Sequence, residues 1–222
     1  MEPDFWLQRW REHRIGFHRD EVMPLLVQHW PALRVPRGAR VFVPLCGKTL
    51  DMPWFVQQGL RVLGADLSPL AIQQFLAEND MQAQRHARSD GTHFLVDGED
   101  IELIEGDVFA IPSSTLATCG AVYDRAALIA LPPPMRERYV HEIHGKLPPG
   151  CRGLLITLEY PQAQMQGPPF SVQESEVRRL FGAQWKVDLL ERRDILAGQP
   201  SFSESGVTAL HTAVYALERG SR

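Results

Sequence analysis

Cysteine is scarce in this chain. Its three copies in 222 residues, Cys46, Cys119 and Cys151, are too few and too scattered for a disulfide framework or a zinc knuckle. Reduced thiols in a cytoplasmic protein are expected, with Cys46 a small space-filler rather than a nucleophile. No apolar run approaches the length of a membrane span. The opening Met1-Glu2-Pro3-Asp4 lacks the basic region and apolar core of a secretion signal. Lys and Arg number 23 against 27 Asp and Glu, for a net charge of −4, and no basic stripe is present. A nucleic-acid partner is therefore not expected. The eight histidines show no HExxH and no paired metal spacing, so no metal is expected. His141 and His144, three apart on an expected helix, read as a solvated face. Repeats and low-complexity segments are missing too. With 44% hydrophobic and 23% charged residues, the chain has the ordinary composition of a globular protein, and its length suits one domain, 1–222.

What is present is a run of alternating elements. Two helices are expected in residues 1–35, broken at Arg14-Ile15-Gly16-Phe17-His18 and forming a cover. A strand follows at Arg40 to Pro44, then a helix from Leu50 to Gln58 stopped by Gly59, then a strand from Arg61 to Asp66. Ser68-Pro69 has the pattern of an N-cap with proline in the first turn, opening a helix to about Asn79. Met81 to Gly91 is polar without a stable period and reads as a mobile loop, a candidate lid. Phe94 to Val96 and Ile101 to Ile104 flank Asp97-Gly98-Glu99-Asp100 in a hairpin-like pattern. Further strands are expected at Gly120 to Asp124 and Gly153 to Glu159. Helices are expected at Met135 to Lys146 and Ser171 to Phe181, with a Pro- and Gly-rich connection, Pro161 to Pro169, between them. Trp185 to Glu191 and Ala209 to Leu217 alternate like an antiparallel edge pair. The order implies one doubly wound, mostly parallel α/β sheet.

The segment Val41-Phe42-Val43-Pro44-Leu45-Cys46-Gly47-Lys48-Thr49 carries the chemistry. Gly-Lys-Thr suggests a phosphate loop, but that loop needs G-x-x-x-x-G-K-[ST], and its first glycine falls on Phe42, inside the strand. A dinucleotide site needs G-x-G-x-x-G, and only Gly47 is present. A nucleoside cofactor without phosphates needs no such clearance. S-adenosylmethionine is one: it asks for backbone contacts from a loop such as that turned by Gly47, a carboxylate for the ribose, and an apolar slot for adenine. Asp66, about 20 residues past the loop, has the offset of a ribose carboxylate. Ile104-Glu105-Gly106-Asp107-Val108 suits the end of the third strand, with Asp107 near the base. An ordinary solvated turn remains the alternative for either aspartate.

The loop from Arg40 to Met52 resembles the thiopurine S-methyltransferase family, in which a Pro-Leu-Cys-Gly-Lys segment replaces the glycine-rich motif. The resemblance extends to Trp6 and Trp10 with Gly16-Phe17-His18, to Gly64-Ala65-Asp66-Leu67-Ser68, to Tyr123-Asp124-Arg125-Ala126-Ala127-Leu128, and to Gly167-Pro168-Pro169-Phe170 with Arg179-Leu180-Phe181-Gly182. It implies a Rossmann-like, class I S-adenosylmethionine-dependent methyltransferase with a seven-stranded sheet and an antiparallel terminal strand. It implies that Trp6, Trp10, Leu45, Gly47, Asp66, Asp107, Val108 and Arg125 hold the cofactor. Phe17, Arg125, Pro168 and Pro169 would wall the pocket of a thiopurine or other aromatic or heterocyclic thiol. Bacterial relatives associated with selenium and tellurium methylation add metalloid oxyanions as acceptors. The stretch Gln199 to Gly206 lacks the basic residue that some members carry there.

Arg125 is the expected catalytic residue, a guanidinium that holds a thiolate and orients the cofactor; an ion pair with Asp124 is its plain alternative. Trp10 suits the face of a sulfonium, or simple packing with Trp6. Leu45 is expected to serve through its backbone, and Lys48 to face solvent. Phe17 reads equally as a pocket wall or a helix staple. A monomer acting on a small molecule, with no membrane partner, is expected. A non-catalytic ligand-binding module and a P-loop NTPase remain the other readings.

Overall fold

The computed structural model describes residues 3–98 and 100–220. Met1, Glu2, Ser221 and Arg222, and the Glu99 of the expected hairpin turn, lie outside the described residues. The chain opens with α1 (Pro3–Arg11) and α2 (Pro24–His29), the latter continued by a 3-10 turn, Trp30–Leu33. The body then alternates: β1 (Arg40–Pro44), α3 (Asp51–Gln57), β2 (Arg61–Asp66), α4 (Pro69–Glu78), β3 (Ala83–Arg88), β4 (Gly91–Val96), β5 (Ile101–Glu105). It continues with α5 (Ser113–Leu116), β6 (Ala121–Arg125), α6 (Pro133–Glu142), β7 (Arg152–Glu159), α7 (Glu174–Phe181), β8 (Trp185–Asp194), α8 (Pro200–Glu204) and β9 (His211–Arg219).

The strands form one sheet in the order β3-β4-β5-β2-β1-β6-β7-β9-β8. The five from β5 to β7 are parallel, and β9 pairs antiparallel with both β7 and β8. The doubly wound sheet and its antiparallel terminal pair are as expected. The strand count is nine rather than seven, because β3 and β4 extend the seven-stranded body on its far side. Met81–Gly91 is thus no loop: β3 pairs with β4 along its whole length. Its sequence hid this because it is an edge strand with five of six residues exposed, so neither face has an apolar period. Charged edges of this kind also block pairing with another chain.

Each face of the sheet is covered by helices. On one, Leu26 of α2, Met52 and Phe55 of α3, and Ile72 and Phe75 of α4 pack over Val41, Val43 and Tyr123. On the other, Tyr139 and Val140 of α6 and Val177 and Phe181 of α7 pack over Phe42, Val122 and Leu155. Ser68 caps α4 as its sequence demands, accepting from the Ala71 N–H at 3.4 Å. The N-terminal segment is tied down by buried Asp51, which accepts from the Met23 N–H at 2.8 Å and from the Tyr123 hydroxyl at 3.0 Å. Two donors, one before α2 and one on β6, thereby meet on a carboxylate at the start of α3, a satisfied buried site.

A second buried carboxylate, Asp124, sets the turn after β6. It accepts from the Leu128 N–H at 3.1 Å, the Tyr139 hydroxyl at 2.8 Å and His144 Nε2 at 3.0 Å. It is therefore no partner of Arg125. His144 is fully buried rather than solvated. The reason is that α6 ends at Glu142 and His144–Lys146 is a 3-10 turn, so the three-residue spacing from exposed His141 no longer keeps one helical face.

Candidate active site

In an open α/β sheet ligands settle where the strand order reverses, beyond the carboxyl ends of the strands. Here that point lies between β1 and β6. Both strands leave it through strained backbone: Leu45 has φ +47° and Ala126 φ +66°, neither being glycine. Such conformations cost on the order of 1–3 kcal/mol and concentrate at functional sites. After Pro44, the Cys46 N–H donates to the Ala65 carbonyl at 2.9 Å, which folds the loop back across the end of β2. Gly47 then adopts φ +54°, and a Cβ there would lie 3.3 Å from Trp10 Cζ2. The tryptophan of α1 is thus laid directly on the loop, and Gly47 supplies both the turn and the clearance. A Gly47→Ala change is expected to destabilise the protein by about 1–2 kcal/mol and to weaken cofactor binding, read by chemical denaturation and calorimetry.

Asp66 ends β2 and faces this loop. Its Oδ2 accepts from the Gly47 N–H and its Oδ1 from the Ser68 N–H, each at 2.8 Å. Burial pushes its carboxyl up from 3.8 to about 6, against the pull of these backbone donors. Each oxygen keeps a lone pair for a further donor. The same contacts dispose of the phosphate-loop reading. The Gly47 N–H is given to a carboxylate, and Lys48 Nζ is held by Glu78 at 2.6 Å. Lys48 is only 11% exposed and so does not face solvent. Cys46 is buried, and that burial raises its thiol well above the ordinary value, as befits a space-filler.

A cavity of about 1020 Å³ opens above these strand ends. Trp6, Trp10, Phe17, Leu45, Asp66, Asp107, Val108, Arg125, Pro168 and Pro169 all border it. Gly47 borders a small recess beside it, together with Phe17, His18, Leu45 and Arg125. The sequence-derived candidates are therefore gathered at one place. Phe17 stands edge-on to both Trp6 and Trp10, with 5.8 Å between ring centroids in each case. It serves as a wall and packs the cover at once. Asp107 is exposed and caps a 3-10 turn, Val108–Ala110, through the Phe109 N–H. The Pro168-Pro169 wall is pinned by the Tyr160 hydroxyl, which donates to the Pro169 carbonyl at 2.6 Å, and by the Phe170 N–H, which donates to the Ile129 carbonyl at 2.7 Å. Among the described residues, the Arg125 side chain has no hydrogen-bond or ion-pair partner.

Several bordering residues carry no sequence signal that singled them out. Arg138 lies over the Phe109 ring at 4.1 Å, and the backbone strain of Ala126 has no residue-type signature. Arg136, 1% exposed, donates to the Leu131 carbonyl and the Glu176 carboxylate and lies 5.5 Å from the Phe170 ring centroid. It does not itself border the cavity but joins Leu131, which does, to Glu176 of α7 and to Phe170 beside the Pro168-Pro169 wall. His18 borders both spaces; only its place in the Gly16-Phe17-His18 break pointed to it.

The residues present fit a nucleoside cofactor. A carboxylate with spare lone pairs closes a glycine turn, an apolar turn sits at Val108, and the volume exceeds what one drug-sized ligand fills. No cluster of three or more His, Cys, Asp or Glu side chains able to hold a metal is found among the described residues. No described helix is long and apolar enough to cross a membrane.

Sheet order and site together define a Rossmann-like, class I methyltransferase domain. Its fold is shared with a Burkholderia thailandensis 1,6-didemethyltoxoflavin-N1-methyltransferase solved with its substrate and S-adenosylhomocysteine. That match has TM-score 0.66 at 18% identity, over 98% of this chain and 87% of that one. An N-methyltransferase from Bradyrhizobium japonicum, solved with S-adenosylhomocysteine, matches at TM-score 0.59 and 11% identity, over 90% and 89%. The chain belongs to the thiopurine S-methyltransferase family, whose model matches residues 1–220. A thiopurine S-methyltransferase of Xanthomonas campestris pv. campestris is 58% identical over 99% of this chain and 100% of its own length. That of Bordetella pertussis is 55% identical over 99% of each. The protein is accordingly an S-adenosylmethionine-dependent methyltransferase.

Proposed function

We propose that the protein methylates the sulfur of thiopurines and related aromatic or heterocyclic thiols. One observation carries this reading: the Arg125 guanidinium, without a partner among the described residues, borders the same cavity as the Asp66 carboxylate, at the switch point of the sheet. Asp66 would hold the ribose, Leu45 and Gly47 the amino acid end through their backbone, and Val108 the base, with Asp107 beside it. S-adenosylmethionine, when bound, supplies a methyl carbon made electrophilic by its sulfonium. The chain aligns the acceptor against that carbon and excludes water. Arg125 stabilises the acceptor in its thiolate form, because a guanidinium in a desolvated site gains most from an anion. Phe17 and the Pro168-Pro169 segment hold the flat ring, and Trp6 and Trp10 bring the N-terminal cover of residues 1–35 over it. The three cysteines are unpaired and buried, which supports a reducing, cytoplasmic setting.

Transfer of labelled methyl from S-adenosylmethionine, screened over thiopurines, thiophenols, selenite and tellurite, tests this. Thiols are expected to be the good acceptors. Cofactor binding without transfer to any acceptor would instead identify a ligand-binding module, and transfer confined to the oxyanions would make metalloids the substrates.

A further inference from the structure

We propose that His18 is the general base of the reaction, taking the proton of the acceptor thiol and passing it to solvent through the recess it shares with Arg125. The proposal rests on the thiol methyltransferase reading above and assigns the proton's path within it.

Of the proton acceptors bordering the cavity among the described residues, the two carboxylates are turned to backbone donors and, in the functional reading above, to the cofactor. Asp66 accepts from the Gly47 and Ser68 N–H groups, and Asp107 from the Phe109 N–H. The other titratable side chains there are arginines, apart from His18. The imidazole is placed by the break after α1, where the His18 N–H donates to the Ile15 carbonyl at 2.8 Å. The side chain is only 14% exposed. It stands on the wall common to the cavity and the recess, a wall it shares with Phe17, Leu45, Arg125 and Ala126.

That recess measures about 30 Å³ and is otherwise bordered by Lys48, Thr49, Asp51 and Tyr123. Val43, Cys46 and Gly47 complete a lining that is more apolar than polar, with the imidazole, Thr49 and Lys48 among its polar groups. The space is large enough for a water, which needs roughly 10–15 Å³. Charged groups face the imidazole from four elements: Asp20 on its own segment, Lys48 after β1, Glu78 at the end of α4, and Arg125 at the end of β6. Burial first, then Lys48 and Arg125, hold it below the ordinary histidine range against the opposing pull of Asp20 and Glu78. A neutral imidazole at pH 7 follows, with one ring nitrogen free to accept. Asp20, 3.6 Å from Nε2, is too distant for a direct hydrogen bond but sits at the solvent side to receive the charge. Lys48 is engaged by Glu78 and does not compete for the thiolate.

In the step itself the acceptor S–H bond breaks and an N–H bond forms on the imidazole, while the electron pair stays on sulfur beside Arg125. The imidazolium then returns its proton to water. The two residues divide the work: His18 removes the proton, and Arg125 holds the charge left behind. Acceptors already ionised at the working pH need only the second.

His18→Gln and His18→Asn, assayed on thiols of graded acidity, test the proposal. For thiols with a pKa above the assay pH, kcat is expected to fall about 100-fold with KM nearly unchanged. For thiols ionised at the assay pH the loss should stay below about threefold. With S-adenosylmethionine held saturating, so that Asp66 does not contribute, the acid limb of the unaltered enzyme's kcat/KM profile for the thiol should disappear in both variants. A second readout needs no turnover: absorbance titration of a chromophoric aromatic thiol bound in the presence of S-adenosylhomocysteine. There the bound thiol should ionise at higher pH in the variants than in the unaltered protein. Equal losses across all thiols, or a retained acid limb, would overturn the assignment. Failure of the unaltered protein to methylate any thiol would sink the functional reading and the role of His18 with it. That result is distinct from an active enzyme indifferent to His18.

Discussion

Asp66→Ala is expected to weaken S-adenosylmethionine binding about 1000-fold, the loss of two charge-assisted hydrogen bonds worth roughly 1.5–3 kcal/mol each. Calorimetry at pH 8 reads this directly. The carboxyl sits at about 6 before ligand binds, and hydroxyl donors favour its ionised form, so binding expels the proton it carries below that pH. Affinity of the unaltered protein should therefore be about tenfold lower at pH 5 than at pH 8, with proton release visible as a buffer-dependent enthalpy. Asp66→Ala should show neither effect. Stability separates this from unfolding. A carboxyl raised in the folded state stabilises the fold fully below its unfolded value of 3.8 and loses that contribution as pH rises through about 6. At pH 8 the ionised group no longer gains from its raised value, but its removal leaves the Gly47 and Ser68 N–H groups without their acceptor. The unfolding free energy should therefore fall by about 1–3 kcal/mol while the variant still folds, far less than a loss of the fold that would by itself abolish binding. Affinity and pH profile identical to those of the unaltered protein would remove Asp66 from the site.

The position of Asp66 was legible because it depends on spacing. A strand of apolar residues ending on a carboxylate, a fixed distance after a glycine turn, leaves few ways to fold. The same holds for the Ser68-Pro69 start of α4 and the alternating β8 and β9. What escaped notice depends on contacts between distant segments. The edge strand β3 has no apolar face to give it a period. The burial of His144 depends on a change of helical phase after Glu142. Asp124 lies next to Arg125 in sequence, yet its side chain points to the opposite face of the sheet and serves Tyr139, His144 and Leu128. Alternation along β6 alone separates those roles: one residue locks the turn, and its neighbour is left to face the cavity.

That separation makes Arg125→Ala the sharpest probe of the chemistry. Asp124 holds the strained turn without any help from the guanidinium, which has no partner among the described residues. Its removal should move the unfolding midpoint by less than about 2 °C, since no buried group is left unsatisfied. The effect on catalysis should be large, a fall of about 1000-fold in kcat/KM, comparable with losing a principal electrostatic stabiliser. Arg125→Lys should recover little of it, because an ammonium on a flexible stem lacks the planar fork and holds its hydration more tightly. Guanidinium or methylguanidinium added to Arg125→Ala should restore part of the rate by occupying the vacated space, with no such gain for the unaltered enzyme. The acid limb assigned to His18 should persist in Arg125→Ala, because proton removal and charge stabilisation are separate tasks of two different side chains. Full activity in Arg125→Ala would show that the cavity stabilises its thiolate by other means. Loss of the acid limb along with the rate would show that the two residues act as one unit.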